Sequence, residues 1–374
     1  MVASVDAAAS SRPYPSVPPG FVIRAALALR NFVLRIAHAM APPEVRLFEL
    51  GTGVMVGRGL GIIAKLGFAD LLARRGPMTA AEIAAELGTN ADATHRALRG
   101  MAFLGIFRLR PDGRFENNRY SLAMRSGTRS RLREGLLYYS SKSNLDAWDQ
   151  FETTLRTGRN AFVHAHGMSV WEWFDRHPDE RENFAQFMMG LTTADAPVVA
   201  SLYPWREVKR VCDAGGGRGT LLSEILIRHP HLSGVLCDAP GVIASARTLL
   251  AQRGVLDRVQ LVAGSFFEEV PAGADAYILK NILHDWDDGR SLKILSVLRR
   301  AMQPGARVVL VETITERNDT SSLGVLADLH MMTVCDEGRE RSRSELEALL
   351  SASGFRPGRV FPFPTVSVVE GIAV

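Results

Sequence analysis

The stretch that most constrains this chain is VCDAGGGRGTLL, residues 211–222, which places four glycines in five positions. The run before it, REVKRV, reads as a strand, and the run after it, TLLSEILIRH, reads as a helix. A strand, a glycine turn and a helix let a backbone approach a nucleotide-type cofactor at the carboxyl edge of a parallel sheet. The pattern downstream agrees. Strands are predicted at 208–213, 234–238, 258–263, 274–280 and 307–313, with helices at 219–228, 241–252 and 290–302. Two further helices are predicted at 322–335 and 343–353. The chain then ends in two β-rich runs separated by Pro362 and Pro364. Five parallel strands and a terminal antiparallel hairpin make a seven-stranded, doubly wound α/β domain over residues 206–374.

Two cofactors fit such a turn. The spacing Gly215, Gly217, Gly219 is GxGxG, whereas the dinucleotide fingerprint needs its third glycine where Thr220 stands. Asp213 precedes the turn. A carboxylate there opposes a pyrophosphate and suits the cationic methionine end of S-adenosylmethionine. Asp238 closes the second strand, and an acid there bonds ribose hydroxyls in either cofactor class.

A candidate base follows. His284 in LKNILHDWDD lies just past the fourth strand, and an imidazole takes a proton near neutral pH. Glu312 ends the next strand and Glu340 lies beyond it. A carboxylate on one ring nitrogen orients the other and stabilises the imidazolium. The competing readings are a histidine that caps the next helix, and a Glu340 that pairs at the surface with Arg339, Arg341 or Arg343.

The remaining half is helical. With 374 residues, 47% of them hydrophobic, the chain can bury more than one core. Residues 1–20 are rich in Ser, Pro and Ala and are expected to be a disordered tail. The next stretch is apolar but carries Arg24, Arg30 and Arg35, which suits a packed arm or peripheral contact with a membrane surface better than a spanning helix. Residues 45–75 carry Gly51, Gly53, Gly57, Gly59 and Gly61, a pattern that permits close helix packing. Thr79 and Glu82 form a capping-box pair, Gly88 stops that helix, and a second helix leads to a hairpin around Pro111, Asp112 and Gly113. This winged-helix pattern over 21–130 has a DNA-binding alternative, yet its second helix offers only His95, Arg96 and Arg99 among alanines. A dimer-forming role is the expectation, with no nucleic-acid partner. Residues 131–205 form a helical bridge whose Phe162, Trp171, Phe184 and Met188 are candidates to line an apolar pocket. The net charge of +4 is scattered, and three distant cysteines without a CxxC point to a reducing compartment and no metal site.

From about residue 45 onward, and most specifically in GGGRG with ILHDWDD, the chain resembles the small-molecule O-methyltransferases that include caffeic acid, hydroxyneurosporene and carminomycin O-methyltransferases. The resemblance implies a Rossmann-like class I methyltransferase domain behind a winged-helix dimerisation domain, working as a cytoplasmic homodimer. It implies S-adenosylmethionine as donor, S-adenosylhomocysteine as product, no metal, and a small-molecule acceptor hydroxyl. By motif match, Gly215 and Gly217 approach the cofactor, Asp238 takes the ribose, Lys280 lies against the methionine end and Trp286 near the adenine. His284 matches the base, flanked by Glu312 and Glu340, and Met188, Met331 and Met332 match positions near the acceptor. Two departures stand out. Ser265 replaces an acid that meets the adenine amino group, beside Phe266, which keeps an apolar wall. Cys335 stands where plant members carry a polar residue near the substrate. Transfer to nitrogen or carbon, or another chemistry on the same fold, stays open at this point, as does a ligand-responsive winged-helix regulator.

Overall fold

The structure, a computed structural model, describes residues 12–335 and 337–374. The chain divides into two units. One comprises Leu34–Asp146 and Trp171–Leu191; the other comprises Ala147–Val170 and Thr192–Val374 with the N-terminal residues through Val33. The bridge expected at 131–205 is therefore divided between them.

Helix α1 (Gly20–Ala39) buries none of its residues within the chain. Helices α2 (Pro43–Gly51), α3 (Gly53–Leu66) and α4 (Phe68–Arg75) follow, then α5 (Ala80–Leu87) and α6 (Ala91–Phe103). The start of α5 is the expected capping box: Thr79 Oγ1 accepts from Glu82 N, and the Glu82 carboxylate accepts from Thr79 N at 2.7 Å. Gly88, at φ +64°, closes it in the left-handed region. Strands β1 (Phe107–Leu109) and β2 (Phe115–Asn117) form the antiparallel hairpin. Phe107 and Phe115 are fully buried in a core with Ile63, Leu71, Ile83 and Leu98. Of the five glycines in 51–61, two serve close packing. A Cβ on Gly59 would come 2.9 Å from Met101 Cε, and one on Gly61 would overlap the Ser140 side chain, whereas Gly51, Gly53 and Gly57 face open space.

Helices α7 (Arg119–Ala123), α8 (Leu132–Tyr139), α9 (Lys142–Asp149), α10 (Phe151–Thr157), α11 (Ala161–His166), α12 (Val170–Arg176) and α13 (Pro178–Leu202) lead to the sheet. Its elements are β3 (Arg210–Ala214), α14 (Thr220–Arg228), β4 (Ser233–Asp238), α15 (Pro240–Gln252), β5 (Val259–Ala263), β6 (Ala276–Lys280), α16 (Asp288–Ala301), β7 (Arg307–Glu312), α17 (Gly324–Val334), α18 (Arg343–Ala352), β8 (Phe355–Phe361) and β9 (Ser367–Ala373). The strand order is β5-β4-β3-β6-β7-β9-β8, parallel up to β7 and antiparallel in the final hairpin. The REVKRV run is strand only at its end: residues 205–207 form a short 3-10 turn, and β3 begins at Arg210. The β3 residues Val211, Cys212, Asp213 and Ala214 are all buried, as expected of a strand covered on both faces. The order reverses between β3 and β6, so their carboxyl ends flank the crevice where ligands bind in open α/β sheets.

Part of the expected tail is held in place. Residues 1–11 lie outside the described residues, but residues 12–19 are pinned to α14 and α15. Tyr14 N donates to both oxygens of the fully buried Glu224 (3.1 and 3.0 Å), and Arg228 returns a bond to Tyr14 O at 2.8 Å. Arg253 bonds Glu224 at 2.6 Å and stacks its guanidinium 4.1 Å above the Tyr14 ring. Composition suggested disorder here because the anchoring charges lie more than two hundred residues away in sequence.

Candidate active site

The glycine turn is built for close approach. Gly215, Gly217 and Gly219 adopt φ of +72°, +59° and +79°, where other residues are strained. A Cβ on Gly215 would come 2.7 Å from Ile282 and 3.0 Å from Phe266, and one on Gly216 would come 2.5 Å from Asp213 Cγ. Gly219 is the N-cap of α14 and no side chain caps that helix, so its first amides face the turn. Thr220 is already the first helical residue, which is why the motif needs no glycine there. Asp238, at the end of β4, accepts from Gly217 N at 2.8 Å and from Ala239 N at 2.7 Å. Asp213 is buried, and the backbone amide of Leu222 in the first turn of α14 is the polar group that meets its carboxylate. Burial, with Asp238 nearby, raises its carboxyl to about 7, while Lys280 opposes the rise. A buried acid beside the backbone cradle opposes a pyrophosphate at close range.

His284 lies in a short turn after β6, and the cap of the next helix is a different residue, Asp287, which accepts from Arg290 N at 2.6 Å. Nor is Glu340 a surface ion-pair partner. It is buried, and its Oε1 stands 3.0 Å from His284 Nδ1, while Arg339, Arg341 and Arg343 pair with Glu345, Asp288 and Glu347. A carboxylate only accepts, so Nδ1 carries the hydrogen and Nε2 is the nitrogen available to a substrate. Glu312, the other expected flanking acid, meets the backbone of the histidine turn. Its Oε1 accepts from the backbone amides of Ile282 (3.2 Å) and Leu283 (3.0 Å), so it holds the turn that carries the histidine and acts on the ring through its charge. Burial pushes the imidazole down, but Asp285, Glu340 and Glu312 together outweigh it and raise His284 to about 10. Burial raises Glu312 to about 7, with the His284 cation opposing and Glu340 adding to the rise.

Lys280, the last residue of β6, donates to Asn281 Oδ1 at 3.1 Å and pairs with Asp195 at 3.3 Å. Phe266 lies against the glycine turn, and Phe267 meets the Trp286 ring edge-on at 4.9 Å. The Ser265 hydroxyl accepts from Phe267 N at 3.3 Å and so shapes the turn after β5. The expected acceptor-pocket residues fall into two groups. Phe162 on α11, Met331 and Met332 on α17, and Cys335 belong to the sheet unit, where α11 packs on α17 and Asn160 Nδ2 donates to Cys335 O. Phe162 and Cys335 are buried, and Met331 and Met332 are half-buried. Trp171, Phe184 and Met188 belong to the helical unit, where Trp171 meets Phe184 edge-on and Phe174 stacks on Phe184.

Four groups escaped the sequence reading. Asp285 Oδ1 stands 3.5 Å from His284 Nε2. Arg341, buried, ties Leu283 O, Trp286 O and Asp288 together around the histidine turn. Asp328 accepts from Glu340 N at 2.8 Å. His330 is buried, and burial with the charge on His284 pushes it down to about 4, which keeps it neutral. The adjacency of Asp285 to His284 was the one legible signal; the others converge only through the fold. Among the described residues, no group of three or more His, Cys, Asp and Glu is arranged to hold a metal ion.

The model of the O-methyltransferase domain family matches residues 148–356, and that of the O-methyltransferase dimerisation domain matches residues 48–128. The chain belongs to the O-methyltransferase family. As an O-methyltransferase it is similar to phenazine O-methyltransferase PhzM of Lysobacter antibioticus, at 37% identity over 87% of this chain and 94% of the relative. It is also similar to the mitomycin biosynthesis 6-O-methyltransferase of Streptomyces lavendulae, at 34% identity over 87% of this chain and 92% of the relative. Among solved structures, a neocarzinostatin-biosynthesis O-methyltransferase in complex with S-adenosylmethionine and 2-hydroxy-5-methyl naphthoic acid superposes with a TM-score of 0.75. It is 31% identical, covering 85% of this chain and 96% of that one. The dimerisation match takes in the end of α2 and all of α3 through α7, where Phe48, Val54 and Met55 are exposed.

Proposed function

We propose that this O-methyltransferase moves the methyl group of S-adenosylmethionine to a phenolic hydroxyl of a small, largely apolar secondary metabolite, as a cytoplasmic homodimer. The observation that carries the reading is the His284 Nδ1–Glu340 Oε1 contact of 3.0 Å at the end of β6, beside the glycine turn of β3. The exposed apolar residues Phe48, Val54 and Met55 within the dimerisation-domain match support the homodimer.

When bound, S-adenosylmethionine supplies an electrophilic methyl on a sulfonium. Gly215 and Gly217 would lie under it, Asp238 would accept from the ribose, Phe266 and Trp286 would border the adenine with Ser265 beside it, and Lys280 would meet the methionine end. The chain's own task is the acceptor proton. A phenol ionises near pKa 10, and the carboxylates around His284 raise its proton affinity, which favours passing the phenolic proton to Nε2. Glu340 keeps the ring oriented, and the surrounding carboxylates stabilise the imidazolium that forms. Phe162, Met331, Met332 and Cys335 of the sheet unit would contribute apolar contacts to the acceptor.

The test is methyl transfer from donor labelled in the methyl group to a panel of naphthols, hydroxyphenazines and matched aryl amines. Methylated phenols are expected. Donor binding with transfer to the amines alone refutes the oxygen assignment. The variant His284→Ala is expected to lower kcat by at least about 100-fold, with product affinity measured calorimetrically unchanged within about twofold. Undiminished turnover removes His284 from the mechanism.

A further inference from the structure

Asp195 takes no part in the assignments above, yet it sits at the cofactor end of the sheet. It lies on α13 immediately before Ala196, and that helix packs Ala196, Val199 and Ala200 into the core shared with Val211 and Ile278. Asp213 and Ile278 are register partners on β3 and β6, so Lys280, two residues on, points to the same face as Asp213. The Asp195 carboxylate stands 3.3 Å from Lys280 Nζ, with the lysine side chain 7% and the aspartate 17% exposed. Asp213, Lys280 and Asp195 therefore alternate in sign along the inner edge of the crevice.

The two acids are not equivalent. Asp213 is roofed by the turn, since a Cβ on Gly216 would come 2.5 Å from its carboxyl carbon. Asp195 is 17% exposed, against 1% for Asp213. Burial raises its carboxyl above the usual range while Lys280 opposes the rise, as expected of an acid whose charge is met by only one strong partner. Another buried ion pair of this unit behaves differently: Glu224 meets two arginines and a backbone amide, which is a closed structural knot.

We propose that Asp195 and Lys280 are a matched charge pair that reads the zwitterionic amino-acid end of the cofactor, Asp195 taking the α-ammonium and Lys280 the α-carboxylate. This rests on S-adenosylmethionine being the cofactor. Before the cofactor arrives the two side chains neutralise each other, so neither is left as an uncompensated buried charge. On binding, each exchanges its partner for the opposite charge of the ligand, and the charge count of the crevice is preserved. Asp195 is a binding residue for the donor, and the methyl chemistry does not need it directly.

The test is calorimetry on the full chain with three ligands: S-adenosylhomocysteine, its analogue lacking the α-amino group, and 5'-methylthioadenosine, which lacks the amino-acid end. In the unsubstituted protein, S-adenosylhomocysteine binds best. Asp195→Asn is expected to weaken S-adenosylhomocysteine by about 10- to 100-fold, the range for a lost charge-assisted hydrogen bond. It leaves 5'-methylthioadenosine unchanged within about twofold and holds or improves the des-amino analogue, because Lys280 is no longer neutralised. That crossing pattern is not produced by a merely structural loss, which weakens all three ligands together and overturns the proposal. Equal S-adenosylhomocysteine affinity in both proteins also overturns it. If the unsubstituted protein binds none of the three, the cofactor reading itself fails.

Discussion

Replacing Glu340 by Gln removes one of the charges that raise the proton affinity of His284 while leaving Asp285 and Glu312 in place. The amide is nearly isosteric, and its oxygen can still accept from Nδ1–H, so the ring stays oriented while the negative charge is lost. Two unit charges at the observed 3.0 Å interact by about 5 kcal/mol at an effective dielectric of about 20. That figure is a ceiling, because Asp285 and Glu312 remain and the amide dipole replaces part of the interaction. A fall of about one to two pKa units, about 1.4–2.8 kcal/mol, is the expected result. The sign follows from the proton count. Below about pH 10 the free site and the free phenol together hold one proton too many, so kcat/KM rises with pH until His284 is deprotonated. In Glu340→Gln the rising limb moves to lower pH by about one to two units. Its plateau also falls, because a weaker base stabilises the imidazolium less. Near neutral pH these effects partly cancel, so a single-pH rate is a poor measure. The assay is kcat/KM for one phenolic acceptor from about pH 6 to about pH 11.5, beside a histidine NMR titration of the ligand-free protein. A limb that stays in place while the plateau drops refutes the electrostatic account and leaves Glu340 an orienting role alone.

Two further perturbations probe the supports of the site. In Gly338→Ala the new Cβ would overlap the carbonyl oxygen of His284 and lie 3.0 Å from the Asp285 carbonyl carbon. The loop that carries Glu340 must retreat, and kcat is expected to fall at least about tenfold while S-adenosylhomocysteine affinity, read by calorimetry, is retained. Unchanged kcat shows that the loop tolerates the shift. In Glu224→Gln the buried knot with Arg228, Arg253 and Tyr14 N loses its charge, and denaturant unfolding should show a loss of about 3–5 kcal/mol. Limited proteolysis within residues 12–19 should quicken in parallel; an equal rate in both proteins means that Glu224 does not anchor this segment.

The glycine turn, the buried run of β3, the capping box at Thr79 and the stop at Gly88 were legible because each depends on a few neighbouring residues. Positive φ demands glycine locally, and a fully covered strand needs a continuous apolar run. Asp213 was legible for the same reason, as an acid at a fixed offset from the turn. What the residues around His284 do was not. Glu340 reaches the ring across 56 positions because β6 and β7 are neighbours and the loop after α17 folds back over them. Glu312 was expected beside the imidazole, and its strand end did place it there, but only the path of the backbone decided that it would grip the amides of Ile282 and Leu283. The competing roles for His284 and Glu340, helix cap and surface salt bridge, fell away only when Asp287 and the three arginines were seen with other partners. Asp195 carries no local motif, and the docking of α13 over the strand ends is what brings it to Lys280. Local backbone demands are thus written in short stretches of sequence, whereas the convergence of charges on one point depends on strand order and register. Those are properties of the assembled sheet, and they decide which carboxylates meet His284.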